Sequence, residues 1–539
     1  MDISKLEFAA LPDLVRWHGR AAPRRIALIE GARQWDYAAL DKHTDEVAAA
    51  LQRSGVGPGD RVALCAAASL EFVAVFLGTL RAGAAVAPLA ASVTPAALHG
   101  MVRDSGARLV FSDAAAGLVL DGAAPTPGDP DGPPLLRIAL DGSAAGLPLQ
   151  DWLGGFDCAP RPVAIEPAWP FNIIYSSGTT GAPKGIVQPH AMRWAHVQRG
   201  VNYGYSEQTV ALLSTPLYSN TTLVVFVPTL AHGGTVVLMA KFDAVQYLEL
   251  AQRHRATHTM LVPVQYRRLL AVPDFDRFDL SSFQVKFATS APFAGALKAE
   301  VLRRWPGQLI EFYGMTEGGG TCILEAHAHP DKLHTVGLPA PGHDIRLIDD
   351  AGQELGADGT GEVVGHSASM MTGYHGQPEK TREAEWFDSS GKRFIRTGDV
   401  GRFDADGFLT LLDRKKDLII SGGFNVYPSD LEDVLREHPA VLEVAVVGVP
   451  SSQWGETPVA FVVPHAAHAG ARADGSAAAQ AQLGSELLAW ANARLGKTQR
   501  LHSLELLAEL PRSAIGKVLK RELRDRWSAV PRSLHGETP

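Results

Sequence analysis

The chain has 539 residues, is 46% hydrophobic and 20% charged, and carries 50 Lys and Arg against 58 Asp and Glu, a formal charge of −8. That balance suits a soluble globular protein of three or four compact units and excludes a chain built to neutralise nucleic-acid phosphates, which needs a basic surface. The three cysteines, Cys65, Cys158 and Cys322, lie far apart with no CxxC pair, which excludes a disulfide framework, speaks against a zinc site and suits a reducing, cytoplasmic setting with free thiols in or near the core. The N-terminus, MDISKLEFAALPDLVRWHGR, has no apolar run of signal-peptide type. RVALCAA (61–67) then predicts a strand and LEFVAVFLGTLRAG (70–83) a helix ending at glycine, while FNIIYSS (171–177) predicts a strand running into a glycine loop. GGTVVLM (233–239), HTMLVP (258–263) and QVKFATS (284–290) read as further strands, with an amphipathic helix at DAVQYLELAQRHR (243–255). Glu71 interrupts the apolar stretch 62–80, and Pro228, His232, Gly233 and Gly234 interrupt 221–240. Both therefore read as buried strand or helix, and neither as a membrane span of about 20 residues.

This alternation predicts parallel sheets covered by helices on both faces. After Pro339 the pattern changes to short alternating strands, at HDIRLIDDAG, GTGEVVGH and RFIRTGDVGRFDADGFLTLL, with DADG (404–407) as a hairpin turn. A charged break, DRKKD (413–417), places a domain boundary at about Leu412 to Lys416. Beyond it PSDLEDVLREHP reads as a helix, VLEVAVVGVP and TPVAFVVP as strands, SELLAWANARLG as a helix and GKVLKRELRDRW as a closing basic helix. The low-complexity stretches 121–134 and 465–482 read as exposed loops.

The strongest chemical signal is YSSGTTGAPKG, Tyr175 to Gly185, which follows an apolar strand. Glycines let backbone N–H groups approach a phosphate, hydroxyls add donors, and a lysine adds a positive point charge. It is not the common P-loop, because Pro183 stands where that motif needs glycine; GKT at 496–498 fails too, with Ala491 at the required glycine. The whole string resembles the phosphate loop of the adenylate-forming (AMP-binding) superfamily, which includes acyl-CoA synthetases, peptide-synthetase adenylation domains and beetle luciferases. EFYGMTEG (311–318), RTGDVG (396–401), DRKKDLIISGGFNVYPSDLE (413–432) and PRSAIGKVLKREL (511–523) resemble its second nucleotide motif, ribose-binding strand, hinge segment and catalytic-lysine segment, in the family's order and across essentially the whole chain.

The resemblance implies an α/β fold. A large N-terminal domain (1–412) would consist of two doubly wound α/β subdomains and a β-rich subdomain. It would be followed by a hinge (413–416), a small mobile α+β C-terminal domain (417–530) and a flexible tail (531–539). It implies that Ser176, Ser177, Gly178, Thr179, Thr180, Gly181 and Lys184 bind ATP phosphates, with Glu311, Tyr313 and Gly314 in the second nucleotide motif and Tyr313 stacked on adenine. Thr316 would bond the α-phosphate and Glu317 would ligate Mg2+. Asp399 and Arg414 would hold the ribose, and Lys517 would contact the α-phosphate and carboxylate oxygens. Lys416 would be the hinge residue, and Ser421, Gly422 and Gly423 would line the tunnel for the pantetheine of coenzyme A. The implied reaction joins a carboxylic acid to coenzyme A through an acyl-AMP, with AMP and diphosphate as products. No protein nucleophile is needed, since positioning and electrostatics carry the catalysis.

The acyl pocket is expected from TPLYSNTT (215–222), ATSAP (288–292) and the residues after Glu317, with Tyr218, Ser219, Asn220, Ser290, Gly318 and Gly319 as its candidates. Tyr218-Ser219-Asn220 departs from the aromatic–His pair of many acyl- and aryl-CoA ligases, and no Asp occurs in 215–222 to pair with an amino group. Three glycines after Glu317 would widen a pocket wall, and these segments hold no Arg or Lys cluster for a second carboxylate. The expected substrate is thus a medium- or long-chain fatty or aryl monocarboxylic acid. A free-standing ligase that loads a carrier protein is the alternative, and a nucleotide-binding protein without ligase activity is the reading from another class. The expected partners are the acid, ATP and coenzyme A, with no nucleic acid and no integral membrane segment; a homodimer is left open.

Overall fold

The alternation of apolar strands and helices recurs in the chain's computed structural model, which describes every residue except Met1, 122–134, Ala144, 155–158, 177–183, Ala357, 422–423, Ser452, 466–476, 497–498, 514–515 and 530–539. Backbone contacts divide the chain into two units, Met1–Ile345 with Val364–Arg396, and Arg346–Val363 with Thr397–Pro539.

The first unit holds two large sheets. One has the order Gly373–Tyr374, Lys184–Pro189, Pro170–Ser176, Ala85–Pro88, Arg61–Cys65, Leu109–Ser112, Leu136–Ala139 and Leu147–Pro148. The other has nine strands, with Val285–Ala288, His258–Leu261, Val210–Leu213, Thr235–Leu238 and Ile26–Glu30 pairing in parallel at its centre. Strands such as Val285–Ala288 and His258–Leu261 are buried at every position, as parallel strands covered on both faces must be.

The helix Leu70–Arg81 shows why these elements form. Ser69 caps it, its Oγ accepting from the Phe72 N–H at 3.1 Å, and the helix is buried almost all round because it is apolar all round. Arg81 at its end is compensated by Asp41 at 2.7 Å and Asp45 at 2.9 Å. The second apolar stretch resolves into a helix, Asn220–Ala231, and a strand, Thr235–Leu238. Among the described residues no helix is long and apolar enough to cross a membrane. Cys65 and Cys322 are free and buried, and Cys158 lies outside the described residues.

The strands expected after Pro339 are present as Asp344–Ile348, Thr360–His366, Arg393–Phe403 and Leu409–Arg414. The DADG turn joins the last two: the Gly407 N–H donates to the Asp404 carbonyl at 3.0 Å, and the Asp404 carboxylate accepts from the Phe408 N–H at 2.9 Å.

The second unit has a sheet of Phe424–Val426, Ile419–Ser421, Gly455–Pro464 and Val441–Ser451, with Ser503–Leu506 added in parallel to Gly455–Pro464. One apolar cluster includes Leu431, Leu435, Leu487 and Val446; another includes Val447, Phe461 and Leu523. Two boundaries differ from expectation. The 465–482 loop gives way at Ala477 to the helix Ala477–Asn492, because AAAQAQ is strongly helix-favouring. The closing helix begins only at Lys520, since Gly516 adopts a left-handed φ of +75° and the Gly516 N–H closes a turn on the Ser513 carbonyl.

Candidate active site

In the first unit the glycine string springs from a strand pair. Pro170–Ser176 and Lys184–Pro189 are antiparallel, with Ser176 opposite Lys184, so Lys184 stands at the exit of the loop. Ser177, Gly178, Thr179, Thr180 and Gly181 lie outside the described residues. The Lys184 ammonium lies 5.2 Å from the centroid of the Tyr374 ring, and the Tyr374 hydroxyl donates to Glu317 Oε1 at 2.9 Å. Burial first, then the Glu317 charge, pushes the Tyr374 phenol up, which keeps it a donor. The backbone of Thr316 and Glu317 is held from two sides: the Gln188 amide donates to the Thr316 carbonyl at 2.6 Å, and the Met371 N–H donates to the Glu317 carbonyl at 2.8 Å. Mg2+ takes one or two protein carboxylates and completes its shell with substrate phosphates and water. A single glutamate, oriented through one oxygen by Tyr374, fits that donor set. Tyr313 is half-buried on the strand Gln308–Met315 and Gly314 is exposed. Glu311 is buried, with its carboxylate engaged by Lys298.

A polar network absent from the sequence reading joins this site to the acyl segments. Arg193 is only 2% exposed, and burial draws its guanidinium down to about 9. It donates to Asn172 Oδ1 at 2.9 Å, to Asn220 Oδ1 at 2.8 Å and to Gln188, the residue that also holds Thr316. Asn220, where the sequence departs from the family pattern, is thus the acceptor for a buried cation. Ser219 caps the Asn220–Ala231 helix, with its Oγ accepting from the Thr221 N–H at 3.3 Å. The Thr221 hydroxyl lies 2.6 Å from that of Ser290, which sits at φ +79°. Tyr218 is half-buried, and burial pushes its phenol up.

The glycines behave differently from expectation. They form the start of a strand, Gly318–Glu325, and the space freed by their missing side chains is filled by neighbouring backbone. A Cβ on Gly318 would collide with the Ser369 carbonyl, and one on Gly319 would lie 2.9 Å from the Gly365 carbonyl oxygen. Their smallness serves close packing there, and leaves no widened pocket wall.

In the second unit Asp399 and Arg414 face each other across an antiparallel pair, with Oδ1 to Nε 3.1 Å. Arg414, Lys416, Lys415, Thr397 and Gly398 line a cleft of about 340 Å³. Lys415 is committed to Asp350 at 2.8 Å and Glu362 at 3.5 Å. Lys517 belongs to the same electrostatic cluster. Burial, then Arg414 and Lys416, draw its ammonium down to about 8 against the opposing pull of Asp399 and Asp417. Its turn is tied by Ser513, whose N–H donates to the Lys517 carbonyl at 2.8 Å and whose Oγ accepts from the Lys517 N–H at 3.2 Å. Three cations against two carboxylates make a site for an anion. Ser421 ends the Ile419–Ser421 strand, and Gly422 and Gly423 lie outside the described residues.

The family model for the AMP-binding enzymes matches residues 15–375, and that for the AMP-binding enzyme C-terminal domain matches 430–517. The chain is an AMP-binding enzyme. It is an ATP-dependent, AMP-forming ligase of the adenylate-forming superfamily, with the superfamily's large N-terminal and smaller C-terminal parts. It is 32% identical to a feruloyl-CoA synthase of Amycolatopsis over 94% of its length and 97% of that protein's. A fatty acid–[acyl-carrier-protein] ligase, ScoC, of Streptomyces coeruleorubidus is 31% identical over 97% of this chain and 98% of its own. Among solved structures, the amide bond synthetase McbA from Marinactinospora thermotolerans superposes with a TM-score of 0.80 at 27% identity, covering 96% of this chain and all of that one.

Proposed function

We propose that this AMP-binding enzyme activates a fatty or aryl carboxylic acid and transfers the acyl group to coenzyme A. In the first step a substrate carboxylate oxygen attacks the α-phosphorus of ATP. The bond from that phosphorus to the bridging oxygen breaks, and diphosphate leaves with its electron pair. In the second, the thiol sulfur of coenzyme A attacks the acyl carbonyl, loses its proton and expels AMP. The observation that carries this reading is the cation cluster of Arg414, Lys416 and Lys517 around Asp399, beside a cleft sized for a nucleotide fragment.

The residue roles follow from charge. Lys184, with the loop hydroxyls, offsets the β- and γ-phosphate charge. Thr316 donates to the α-phosphate, and Lys517 offsets the charge that develops between attacking carboxylate and phosphate. Asp399 accepts from ribose hydroxyls while Arg414 keeps the carboxylate oriented, and Tyr313 stacks on adenine. Mg2+ bound at Glu317 would neutralise phosphate charge. The segment 413–416 acts as a hinge between the two steps, and Ser421, Gly422 and Gly423 leave room for pantetheine.

Diphosphate and AMP release by the purified protein, with Mg-ATP and a panel of fatty and aryl acids, tests the reading. Turnover that needs both an acid and coenzyme A supports it. A second acceptor is favoured by a specific observation: relatives and structural neighbours spanning nearly the whole chain include a carrier-protein ligase and an amide bond synthetase. Diphosphate release with an acid that coenzyme A fails to accelerate would select that alternative.

A further inference from the structure

Arg193, His196 and Arg199 recur at every third position of the helix His190–Gly200, yet the two arginines meet different surroundings. Arg193 gives its donors to amide oxygens of Asn172, Asn220 and Gln188. Arg199 has no oxygen acceptor among the described residues. Its guanidinium lies 5.9 Å from the centroid of the Phe312 ring, and burial draws it down, with only the Tyr203 phenol opposing. Arg199 is half-buried, and a guanidinium drawn partly out of water is disfavoured without an oxygen partner; the more deeply buried Arg81 has both Asp41 and Asp45.

Two histidines share the field of Arg199. Burial, then that guanidinium, keeps His343 neutral to about 4 and His196 neutral far below its ordinary range. His343 Nδ1 accepts from the Thr321 N–H at 3.0 Å, so its proton sits on Nε2 as a donor. His196 Nδ1 is buried with no hydrogen-bond partner. The cluster therefore combines a cation with no hydrogen-bonded carboxylate among the described residues, a neutral donor and an unsatisfied ring nitrogen, with the Glu325 charge felt at Tyr203 rather than bonded to Arg199.

Its place in the fold ties it to the acyl segments. Phe312 precedes Tyr313, and Thr321 follows the three glycines after Glu317. Thr289, beside Ser290, donates its hydroxyl to the Phe312 carbonyl at 2.8 Å. Phe312 stacks on Phe287 at 5.4 Å, and Tyr203 meets both edge-on at 5.3 and 5.9 Å.

We propose that Arg199 anchors a second carboxylate, carried by the acyl substrate at the end remote from the reacting one, with Phe312, Phe287 and Tyr203 as the aromatic wall between the two ends. The proposal rests on the acid-activating reading above and narrows its substrate class to dicarboxylic acids. The guanidinium fork matches a carboxylate with two parallel bonds, and the His343 Nε2–H adds a third donor. The absence of Lys and Arg from 215–222 and 288–292 pointed to a monocarboxylic acid; Arg199 enters from a different element.

ATP–diphosphate exchange, which needs no acceptor, tests this with matched pairs: phenylacetate and 4-carboxyphenylacetate, cinnamate and 4-carboxycinnamate, octanoate and octanedioate. At least one pair should favour the dicarboxylate by about tenfold or more in kcat/KM, chiefly through KM. Arg199→Met should lower that ratio about tenfold, and Arg199→Lys, which keeps charge but not the fork, should give an intermediate ratio. Preference for the plain acid in every pair, or an unchanged ratio in Arg199→Met, overturns the proposal and leaves the ligase reading standing. No exchange with any acid overturns both. If Arg199→Met does not fold, the wild-type ratios decide alone.

Discussion

Lys517 is held against its own charge: burial, Arg414 and Lys416 all favour the neutral amine, and its ammonium titrates at about 8. A lowered amine pKa means that the protonated form, present below about 8, is lost as pH rises through it. If Lys517 must be charged to meet the carboxylate and the α-phosphate, kcat/KM for ATP in the exchange reaction falls on an alkaline limb with its midpoint near 8. Lys517→Arg, with a guanidinium that stays protonated, should remove that limb. A wild-type profile flat to pH 10 would sink the role. Tyr374 supports a second prediction at this scale. Its hydroxyl orients Glu317 through one bond of 2.9 Å, of a kind worth about 1.5–3 kcal/mol when the acceptor is charged. Tyr374→Phe should therefore raise the Mg2+ concentration for half-maximal exchange by roughly threefold to tenfold, with little change at saturating Mg2+. The lysine was legible in SAIGKVLK, whereas its depressed titration was not, because the cations responsible come from a distant stretch of the chain. Tyr374 was illegible for the same reason: nothing local in GYHG says that its hydroxyl reaches a glutamate in the turn between two other strands.

Strands and helices were the most legible level, and the reason is periodicity. Leu70–Arg81 and Thr235–Leu238 carry their burial in largely apolar runs that need no partner to be recognised. The glycines after Glu317 show where such reading fails: a missing side chain looks the same in sequence whether a ligand or another strand fills the space. Here a Cβ on Gly320 would collide with Ile345. Gly320→Ala should cost on the order of 1–3 kcal/mol by overpacking, seen as a lower Tm without any change in which acids are accepted. A shift in acid preference at unchanged Tm would return Gly320 to the pocket wall. The helix His190–Gly200 makes the opposite case. Its spacing of Arg193, His196 and Arg199 was visible, but only the fold shows that Arg193 is bonded on all sides. Arg193→Met would strand the oxygen of Asn172 in the core, a loss of about 1–3 kcal/mol for that unsatisfied group, and would leave Asn220 Oδ1 only its 3.3 Å bond from the Gln188 amide. It should also weaken exchange, because Gln188 would lose a neighbour that positions it under Thr316. Chemical unfolding together with exchange kinetics checks both effects.

At the scale of the whole molecule, the order of motifs along the chain was legible because each is a short local string, and that order sufficed to place the family. What no string reveals is how one chain runs two reactions with one set of residues. Lys416 offers a way to ask. It lies in a single turn, Lys415–Asp417, that follows the strand Leu409–Arg414, and it also lines the cleft beside Arg414. A hinge acts through backbone dihedrals, while a cleft lysine acts through its ammonium, so two substitutions separate the roles. Lys416→Ala removes the charge and leaves φ free. Lys416→Pro removes the charge, fixes φ near −65° and restricts Lys415 before it. If 413–416 must absorb a large change in φ and ψ between the half-reactions, Lys416→Pro should slow thioester formation from acyl-AMP and coenzyme A about tenfold or more relative to acyl-AMP formation. Lys416→Ala should leave the ratio of the two rates near the wild-type value. Single-turnover measurement of each half-reaction reads that ratio directly. Equal ratios in the two variants would mean that Lys416 contributes charge alone, and the hinge would then have to lie elsewhere in the chain.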